Sequence, residues 1–210
     1  CALGQPAAPF VIEGDEYDCA FFDKRSKFIH YLPRILVINN LEFDHGDIFR
    51  DLQDIQRSFS HVVRLVPRSG HILINGDDPR LTQWVVDEAH SKVWRVGFGD
   101  GNDLRIAGFE ENASGSRFSL SLGGASLGAV EWPTPARYNA RNAAMATLAA
   151  SLAISESPPF APFSAVDYST FPGIRRRQEL LWQSARARLI EDFGHHPTAV
   201  EETLKSLRSR

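Results

Sequence analysis

This sequence has few cysteines and no long apolar run. It contains only two cysteines, Cys1 and Cys19, in 210 residues. A chain of this length buries a core of its own and needs no disulfide, so the low cysteine count favours a reducing cytoplasm. No apolar stretch reaches the roughly 20 residues of a membrane-spanning helix, and the first residues lack the charged-then-apolar order of a signal peptide. We expect a cytoplasmic globular protein without membrane insertion.

Strong charge of either sign is also missing. The formal net charge is -3, and the densest cationic run is the short Arg175-Arg176-Arg177. Such a run suits a small anionic ligand and gives no electrostatic reason to expect nucleic acid as a partner. There is no methionine at the start, and we expect the sequence to be part of a longer chain.

The phosphate-binding loop Gly-x-x-x-x-Gly-Lys-Ser/Thr is a third absence. This loop, whose backbone N–H groups and lysine contact phosphates, is the usual sequence signature of a nucleotide site. The residue pattern by itself therefore does not indicate ATP.

Short apolar runs, partly β-branched and ending in polar residues, are typical of buried strands in a parallel sheet. They occur at residues 9–13, 34–39 and 71–75. Apolar residues at helical spacing predict intervening helices at 47–66 and 81–90.

The second half of the sequence changes pattern twice. Alternating residues with glycines at 103–132 predict a small antiparallel β insert, and the alanine-rich stretch 138–154 predicts a largely buried helix. A strand at 186–192 and a helix at 197–210 follow. We predict an α/β fold: a mostly parallel sheet flanked by helices with that insert, followed by the start of a second α/β domain.

Two segments rich in metal ligands follow the first two predicted strands. They are Glu-Gly-Asp-Glu-Tyr-Asp at 13–18 and Asn-Asn-Leu-Glu-Phe-Asp-His at 39–45. The carboxyl ends of neighbouring parallel strands share one rim, so we expect the two segments to lie close together. Carboxylates with water and phosphate oxygens hold Mg²⁺, and His45 adds an imidazole. Solvated acidic loops are the alternative interpretation.

Six motifs in chain order resemble the muramyl ligase family. They are Glu-Gly-Asp-Glu-Tyr-Asp, Asn-Leu-Glu-Phe-Asp-His, Asn-Gly-Asp-Asp-Pro, Asn-x-x-Asn, Gly-Ile-Arg-Arg-Arg and Asp-Phe-Gly-His-His-Pro-Thr. The resemblance implies an amide ligase that depends on ATP and Mg²⁺. It also implies that residues 1–180 are part of the central ATP-binding domain, without its phosphate loop, and that 181–210 begin the carboxy-terminal domain. The chain alone is expected to be inactive.

The resemblance implies roles for individual residues. Glu13 and His45 match the magnesium ligands of the family. Four others match nucleotide contacts: Asn139 and Asn142 beside the adenine, Arg176 at the phosphates, and Asp192 approaching on domain closure. His195 and His196 share the motif of Asp192 without an assigned role. Without the resemblance, the asparagines are ordinary polar residues at a helix start and the arginines are exposed charge.

Two positions depart from the family pattern. Several members carry a carbamylated lysine after the histidine motif, whereas residues 46–66 contain no lysine. A second metal would then be held differently. At the adenine motif, relatives often have Gly-x-His-Asn, and this chain has Ala136-Arg137-Tyr138-Asn139.

The stretch at 13–28 is similar to the branch that joins L-Ala-γ-D-Glu-meso-diaminopimelate, the murein tripeptide, to UDP-N-acetylmuramate in peptidoglycan recycling. The resemblance implies that ATP activates the sugar carboxylate as an acyl phosphate. Lys24, Arg25 and Lys27 are expected to offer charge to the peptide carboxylates, with an exposed basic loop as the alternative interpretation. Two alternatives remain. One is the L-alanine-adding ligase, which has a shorter segment here. The other is a metal-dependent hydrolase using His45, His195 and His196 with Asp44 or Asp192.

Overall fold

The computed structural model describes residues 8–44, 46, 48–112, 114–154, 168 and 170–208. Its helices are α1 (Leu52–Leu65), α2 (Pro79–Glu88), α3 (Arg137–Ile154) and α4 (Pro197–Arg208). Its strands are β1 (Asp18–Ala20), β2 (Asp23–Ser26), β3 (Ile35–Ile38), β4 (His71–Asn75), β5 (Lys92–Gly97), β6 (Leu104–Asn112), β7 (Gly115–Leu122), β8 (Ala125–Trp132), β9 (Glu179–Gln183) and β10 (Arg188–Glu191). None of the described helices has the length and apolar character needed to cross a membrane.

One mixed sheet contains six of the strands, in the order β3-β4-β5-β6-β7-β8. β3 runs parallel to β4, and β5 runs parallel to β6. β6, β7 and β8 are antiparallel. The predicted α/β class is confirmed. The antiparallel strands are a continuation of the sheet and not a separate insert.

The chain divides into two compact units. The first comprises residues 1–95 and 148–161, and the second comprises 96–147 and 162–210. The predicted boundary between a central domain at 1–180 and a second domain at 181–210 stays a prediction.

The core of the first unit is an aliphatic cluster on strands β3 and β4 and helices α1 and α2. Its buried members are Ile38, Val63, Val66, Ile72, Ile74, Leu81 and Val85. Both helices begin at an aspartate cap: Asp51 accepts the N–H of Asp54, and Asp78 accepts those of Arg80 and Leu81. The caps explain why α1 starts later than the predicted 47–66 and why α2 starts earlier than the predicted 81–90.

A close backbone approach at Gly70 sets the start of β4. The N–H of His71 donates to the carbonyl of Arg34 at 2.8 Å. A Cβ atom at Gly70 would lie 2.5 Å from that same carbonyl oxygen. Only glycine therefore allows β4 to begin in register with β3, where His71 lies opposite Ile35.

Neighbouring valines on α2 provide a direct test of this core. Val85 is fully buried and Val86 is 41% exposed. We expect Val85→Ala to lower the free energy of unfolding by about 2 kcal/mol, because two methyl groups are lost and a cavity remains. Val86→Ala is the matched control and should change it by less than about 0.5 kcal/mol. Urea unfolding measures both, and equal effects would contradict the assigned faces of α2.

The second unit is built on the β6–β8 meander and the first part of α3. The buried residues of the meander include Leu104, Ile106, Phe118, Leu120 and Val130. The predicted helix at 138–154 is confirmed as α3, whose buried face carries Ala140, Ala143 and Ala144. Small side chains on that face allow close packing of the helix.

The predicted strand at 9–13 is wrong. Residues 9–16 have no regular secondary structure, and Phe10, Val11 and Ile12 are 57%, 90% and 46% exposed. An apolar run becomes a strand only when a neighbouring strand receives its backbone hydrogen bonds. Within the described residues, no strand pairs with this segment.

Four strands were not predicted: β1, β2, β5 and β9. β1 and β2 are three and four residues long and mostly polar, so they lack the apolar alternation that marks a strand. The predicted strand at 186–192 corresponds to β10, which pairs with β9 in an antiparallel hairpin.

Candidate functional site

The acidic segment predicted to bind magnesium, residues 13–18, overlaps the start of a hairpin whose charges pair internally. Glu13 is exposed. Asp15 accepts the N–H of Tyr17 at 2.8 Å and pairs with the ammonium of Lys27 at 2.9 Å. The expected partner of Glu13, His45, lies outside the described residues. The pairing of Glu13 with His45 at one rim stays a prediction, and its premise of a strand at 9–13 does not hold.

Residues 15–30, called here the charged hairpin, contain the three cations expected to meet peptide carboxylates. Lys24 pairs with Asp18 at 2.6 Å, Arg25 with Asp23 at 2.9 Å, and Lys27 with Asp15. The hydrogen bond that the Lys27 ammonium donates to Asp15 raises the pKa of Lys27. Each cation thus has a carboxylate partner inside the hairpin. A substrate carboxylate would have to compete with an aspartate for any of them.

Arg176 lies in a turn, residues 174–178, called here the arginine turn. Its φ of 59° is in the left-handed region, and its N–H donates to Glu179 at 2.8 Å. The guanidinium donates to Glu191 at 3.1 Å and stacks 4.7 Å from the ring centroid of Phe193. The Arg176 side chain is exposed, but the carboxylate of Glu191 and the ring of Phe193 fix its orientation.

Asp192 organises the same turn. Its Oδ2 accepts the N–H of Gln178 at 3.0 Å, and its Oδ1 accepts the N–H of Gly194 at 2.7 Å. The N–H of Phe193 donates to the carbonyl of Arg176 at 2.7 Å. The structure therefore brings Arg176 and Asp192, predicted from separate motifs, into one set of hydrogen bonds.

The start of α3 is joined to the arginine turn by Gln178. The side-chain amide of Gln178 donates to the hydroxyl of Tyr138 at 2.6 Å. In the same helical turn, the amide nitrogen of Asn139 donates to the carbonyl of Pro135 at 2.7 Å. Asn142 is exposed one turn further along the helix. Tyr138 and Gln178, which flank the predicted nucleotide-contacting segments 139–142 and 175–177, are thus hydrogen-bonded within the second unit.

The departure at the adenine motif has a structural counterpart at Ala136. Ala136 is buried and has a φ of 81°, a conformation that favours glycine. Its N–H donates to Glu111 at 2.7 Å, and its carbonyl accepts the N–H of Ala140. The backbone at this position therefore has the conformation typical of glycine although the residue is alanine. The hydrogen bonds of Ala136 offset the strain of that conformation.

Sequence reasoning missed Gln178, Tyr138 and Phe193 as parts of this site. Tyr138 stood out only as part of the stretch that departs from the adenine motif, and Gln178 and Phe193 carry no charge that marks them as ligands. The only sequence signal is their position: Tyr138 and Phe193 directly neighbour Asn139 and Asp192, and Gln178 directly follows the Gly-Ile-Arg-Arg-Arg motif. Arg176 and Phe193 are 17 residues apart in the chain, and Tyr138 and Gln178 are 40 residues apart. No local periodicity in the sequence therefore reveals these contacts.

The histidine pair does not form a metal centre within the described residues. His196 caps α4: its Nδ1 accepts the N–H of Thr198 at 3.3 Å and its carbonyl accepts the N–H of Val200. His195 makes an edge contact with Phe193. Across the described part of the chain, the only cluster of three or more potential ligands is Cys19, Asp23 and His30. The hydrolase alternative also requires His45, which lies outside the described residues.

Comparison with known proteins decides the family. Residues 5–150 match the family described as Mur ligase middle domain. This chain belongs to the Mur ligase family. The predicted resemblance is thereby confirmed.

Curated relatives of this Mur ligase chain point to one branch. It is 42% identical over 201 residues to UDP-N-acetylmuramate--L-alanyl-gamma-D-glutamyl-meso-2,6-diaminoheptandioate ligase of Escherichia coli, covering 96% of this chain and 42% of that protein. The ligase of the same name from Haemophilus influenzae is 36% identical, with coverages of 96% and 43%. UDP-N-acetylmuramate--L-alanine ligase of Desulfitobacterium hafniense is 31% identical, with coverages of 93% and 42%. The chain thus spans less than half the length of these relatives.

Solved structures agree with this placement. The murein peptide ligase of Psychrobacter arcticus is similar with a TM-score of 0.67 and 35% identity, over 95% of this chain and 40% of that one. MurF of Acinetobacter baumannii has a TM-score of 0.72 at 20% identity, over 87% of this chain and 39% of that one. The second likeness shows the fold alone.

Proposed function

We propose that this chain is part of a cytoplasmic ligase that joins L-Ala-γ-D-Glu-meso-diaminopimelate to UDP-N-acetylmuramate with ATP and Mg²⁺, in peptidoglycan biosynthesis and recycling. The observation that carries the proposal is the 42% identity, over 96% of the chain, to a relative named for these two substrates. Identity to the L-alanine-adding relative is lower, at 31% over 93% of the chain.

The proposed chemistry has two steps. The muramate carboxylate attacks the γ-phosphorus of ATP and forms an acyl phosphate with release of ADP. The free α-amine of the tripeptide then attacks the acyl carbon, forms the amide bond, loses a proton and releases phosphate. Phosphoryl transfer of this kind needs mainly positioning and neutralisation of charge, so the protein need not supply a nucleophile.

The second unit fits the nucleotide part of this reaction. Arg176 is proposed to meet the phosphates, since its guanidinium is exposed and oriented by Glu191 and Phe193. The side-chain nitrogen of Asn139 donates to the carbonyl of Pro135. Its side-chain oxygen is therefore the acceptor for the amine of adenine. Asp192 is proposed to act on the nucleotide through the arginine turn, because its Oδ2 accepts the N–H of Gln178 in that turn.

The metal ligands are proposed to be Glu13 and His45. Glu13 offers an exposed carboxylate, which is the hard oxygen ligand that Mg²⁺ takes, and no described cation pairs with it. When bound, Mg²⁺ would neutralise phosphate oxygens. The chain's own contribution to the metal would be the anionic oxygen of Glu13.

A competition assay on the intact enzyme tests the substrate assignment. With ATP, UDP-N-acetylmuramate and equal concentrations of tripeptide and L-alanine, we expect the tripeptide product to exceed the L-alanine product by at least about 100-fold. A whole tripeptide offers binding contacts remote from the reacting amine, and these contacts carry the discrimination. Preferential formation of UDP-N-acetylmuramoyl-L-alanine would overturn the substrate proposal. No product from either amine would overturn the proposed ligase reaction.

A further inference from the structure

The charged hairpin gathers three side chains of different ligand type. The Sγ of Cys19, a carboxylate oxygen of Asp23 and a ring nitrogen of His30 all lie within 4.8 Å of one another. Cys19 and Asp23 are half-buried and His30 is exposed, so an ion could reach them from solvent. None of the three belongs to the residues proposed above for magnesium or nucleotide binding.

The backbone holds this group together by local pairing. β1 and β2 are antiparallel, with Ala20 opposite Asp23. A single 3-10 turn at Lys27–His30 follows β2 and returns His30 to the carboxylate, with its Nε2 2.9 Å from Asp23 Oδ2. Three ligands on one short, connected piece of chain lose little entropy when an ion binds.

The base of the hairpin is anchored to the core of the first unit. Phe28 is buried, and its ring packs against that of Phe59 on α1, with a centroid separation of 5.0 Å. Ser26 and Ser58 share a hydrogen bond of 2.6 Å. The hairpin that carries the three ligands is therefore packed against α1 in the first unit.

The ligand chemistry selects the ion. Thiolate, imidazole and carboxylate together suit Zn²⁺, whereas Mg²⁺ and Ca²⁺ take oxygen ligands. With zinc bonds of about 2.0–2.3 Å, tetrahedral ligands lie about 3.5 Å apart. The ligand atoms lie within 4.8 Å of one another, so none of them needs to approach another by more than about 1.3 Å.

Arg25 is the present counter-ion of the group. Its guanidinium makes two hydrogen bonds of 2.9 Å to the two oxygens of Asp23, and its carbonyl accepts from the thiol of Cys19 at 3.4 Å. The hydrogen bond from Arg25 holds the pKa of Asp23 well below its usual range. Arg25 therefore already neutralises the carboxylate of Asp23 at the place where a metal ion would have to bind.

We propose that Cys19, Asp23 and His30 form a Zn²⁺ site, completed by water, in which the ion displaces Arg25 from one oxygen of Asp23. Binding releases the thiol proton of Cys19 to solvent and involves no redox step. The site is independent of the proposed ligase reaction.

Cobalt is the probe for this site, because thiolate-bound Co²⁺ absorbs in the near ultraviolet and Zn²⁺ displaces it. We expect the reduced, tag-free chain of 210 residues to bind one Co²⁺ with a thiolate charge-transfer band. Cys19→Ser should abolish the band, and Cys1→Ser, which removes the other thiol, should keep it. His30→Gln should weaken cobalt binding at least tenfold, and His61→Gln, an exposed histidine on α1, should leave it unchanged.

Three outcomes would overturn the proposal: no band in the folded wild-type chain, a band that survives Cys19→Ser, or a band lost in Cys1→Ser. Circular dichroism on each variant separates loss of the site from loss of fold. Arg25→Gln tests the displacement step. We expect it to tighten cobalt binding about tenfold, since a competing positive charge is removed. Unchanged or weaker binding would contradict displacement of Arg25.

Discussion

Substituting Phe118 with alanine is expected to lower the free energy of unfolding by about 3–5 kcal/mol. Phe118 is 1% exposed on β7, opposite Val130 of β8. The substitution removes a buried ring from the meander that forms the core of the second unit, and neighbouring side chains can refill only part of the cavity. Guanidinium unfolding followed by fluorescence and circular dichroism measures the loss.

Two companion variants separate the cause of that loss. Phe118→Leu keeps most of the apolar volume and should cost less than about 1.5 kcal/mol. Phe22→Ala removes the same ring from a side chain that is 94% exposed and should change the free energy by less than about 0.5 kcal/mol. If Phe118→Ala proved no more costly than Phe22→Ala, the central place of Phe118 in this core would be refuted.

Substituting Asp192 with alanine is expected to release the arginine turn. The carboxylate is the acceptor for the N–H groups of Gln178 and Gly194, at 3.0 and 2.7 Å. A hydrogen bond to a charged group contributes about 1.5–3 kcal/mol, so hydrogen exchange of both amides should accelerate about 10- to 100-fold. The N–H of Val200 bonds to His196 in α4 and serves as an internal reference.

The same substitution should reduce ligase turnover of the intact enzyme by about 100-fold or more if the proposed function holds, because the turn presents Arg176. Asp192→Asn keeps one oxygen acceptor and should retain part of both effects. Glu191→Gln is the control: it weakens an exposed ion pair to Arg176 and should leave the two amides unchanged. Lost turnover with unchanged amide exchange would mean that Asp192 acts on the nucleotide directly and not through the turn.

The elements that could be predicted are those whose pattern is local. The apolar run at 71–75 is a strand in the structure, and the alanine-rich stretch at 138–154 is a helix with nearly the same bounds. Their propensity and their burial agree, and the surrounding chain supports both. The family followed from six motifs whose order along the chain is itself sequence information.

The candidate site could be predicted only as a set of residues. Arg176 and Asp192 were singled out separately, but their shared turn depends on hydrogen bonds across 14 residues and on left-handed backbone at Arg176 and Gln178. Neither feature has a periodicity that a sequence displays. The place of His45 stays a prediction, since that residue lies outside the described part of the chain.

The sequence by itself determined the α/β class, the strand at 71–75, the helix at 138–154 and membership of the Mur ligase family. Tertiary structure decided that 9–13 is not a strand, that the cations of the charged hairpin are paired within it, and that Cys19, Asp23 and His30 meet. The physical reason is that propensity acts between near neighbours, whereas strand pairing and ion pairing depend on which partners the folded chain brings within reach.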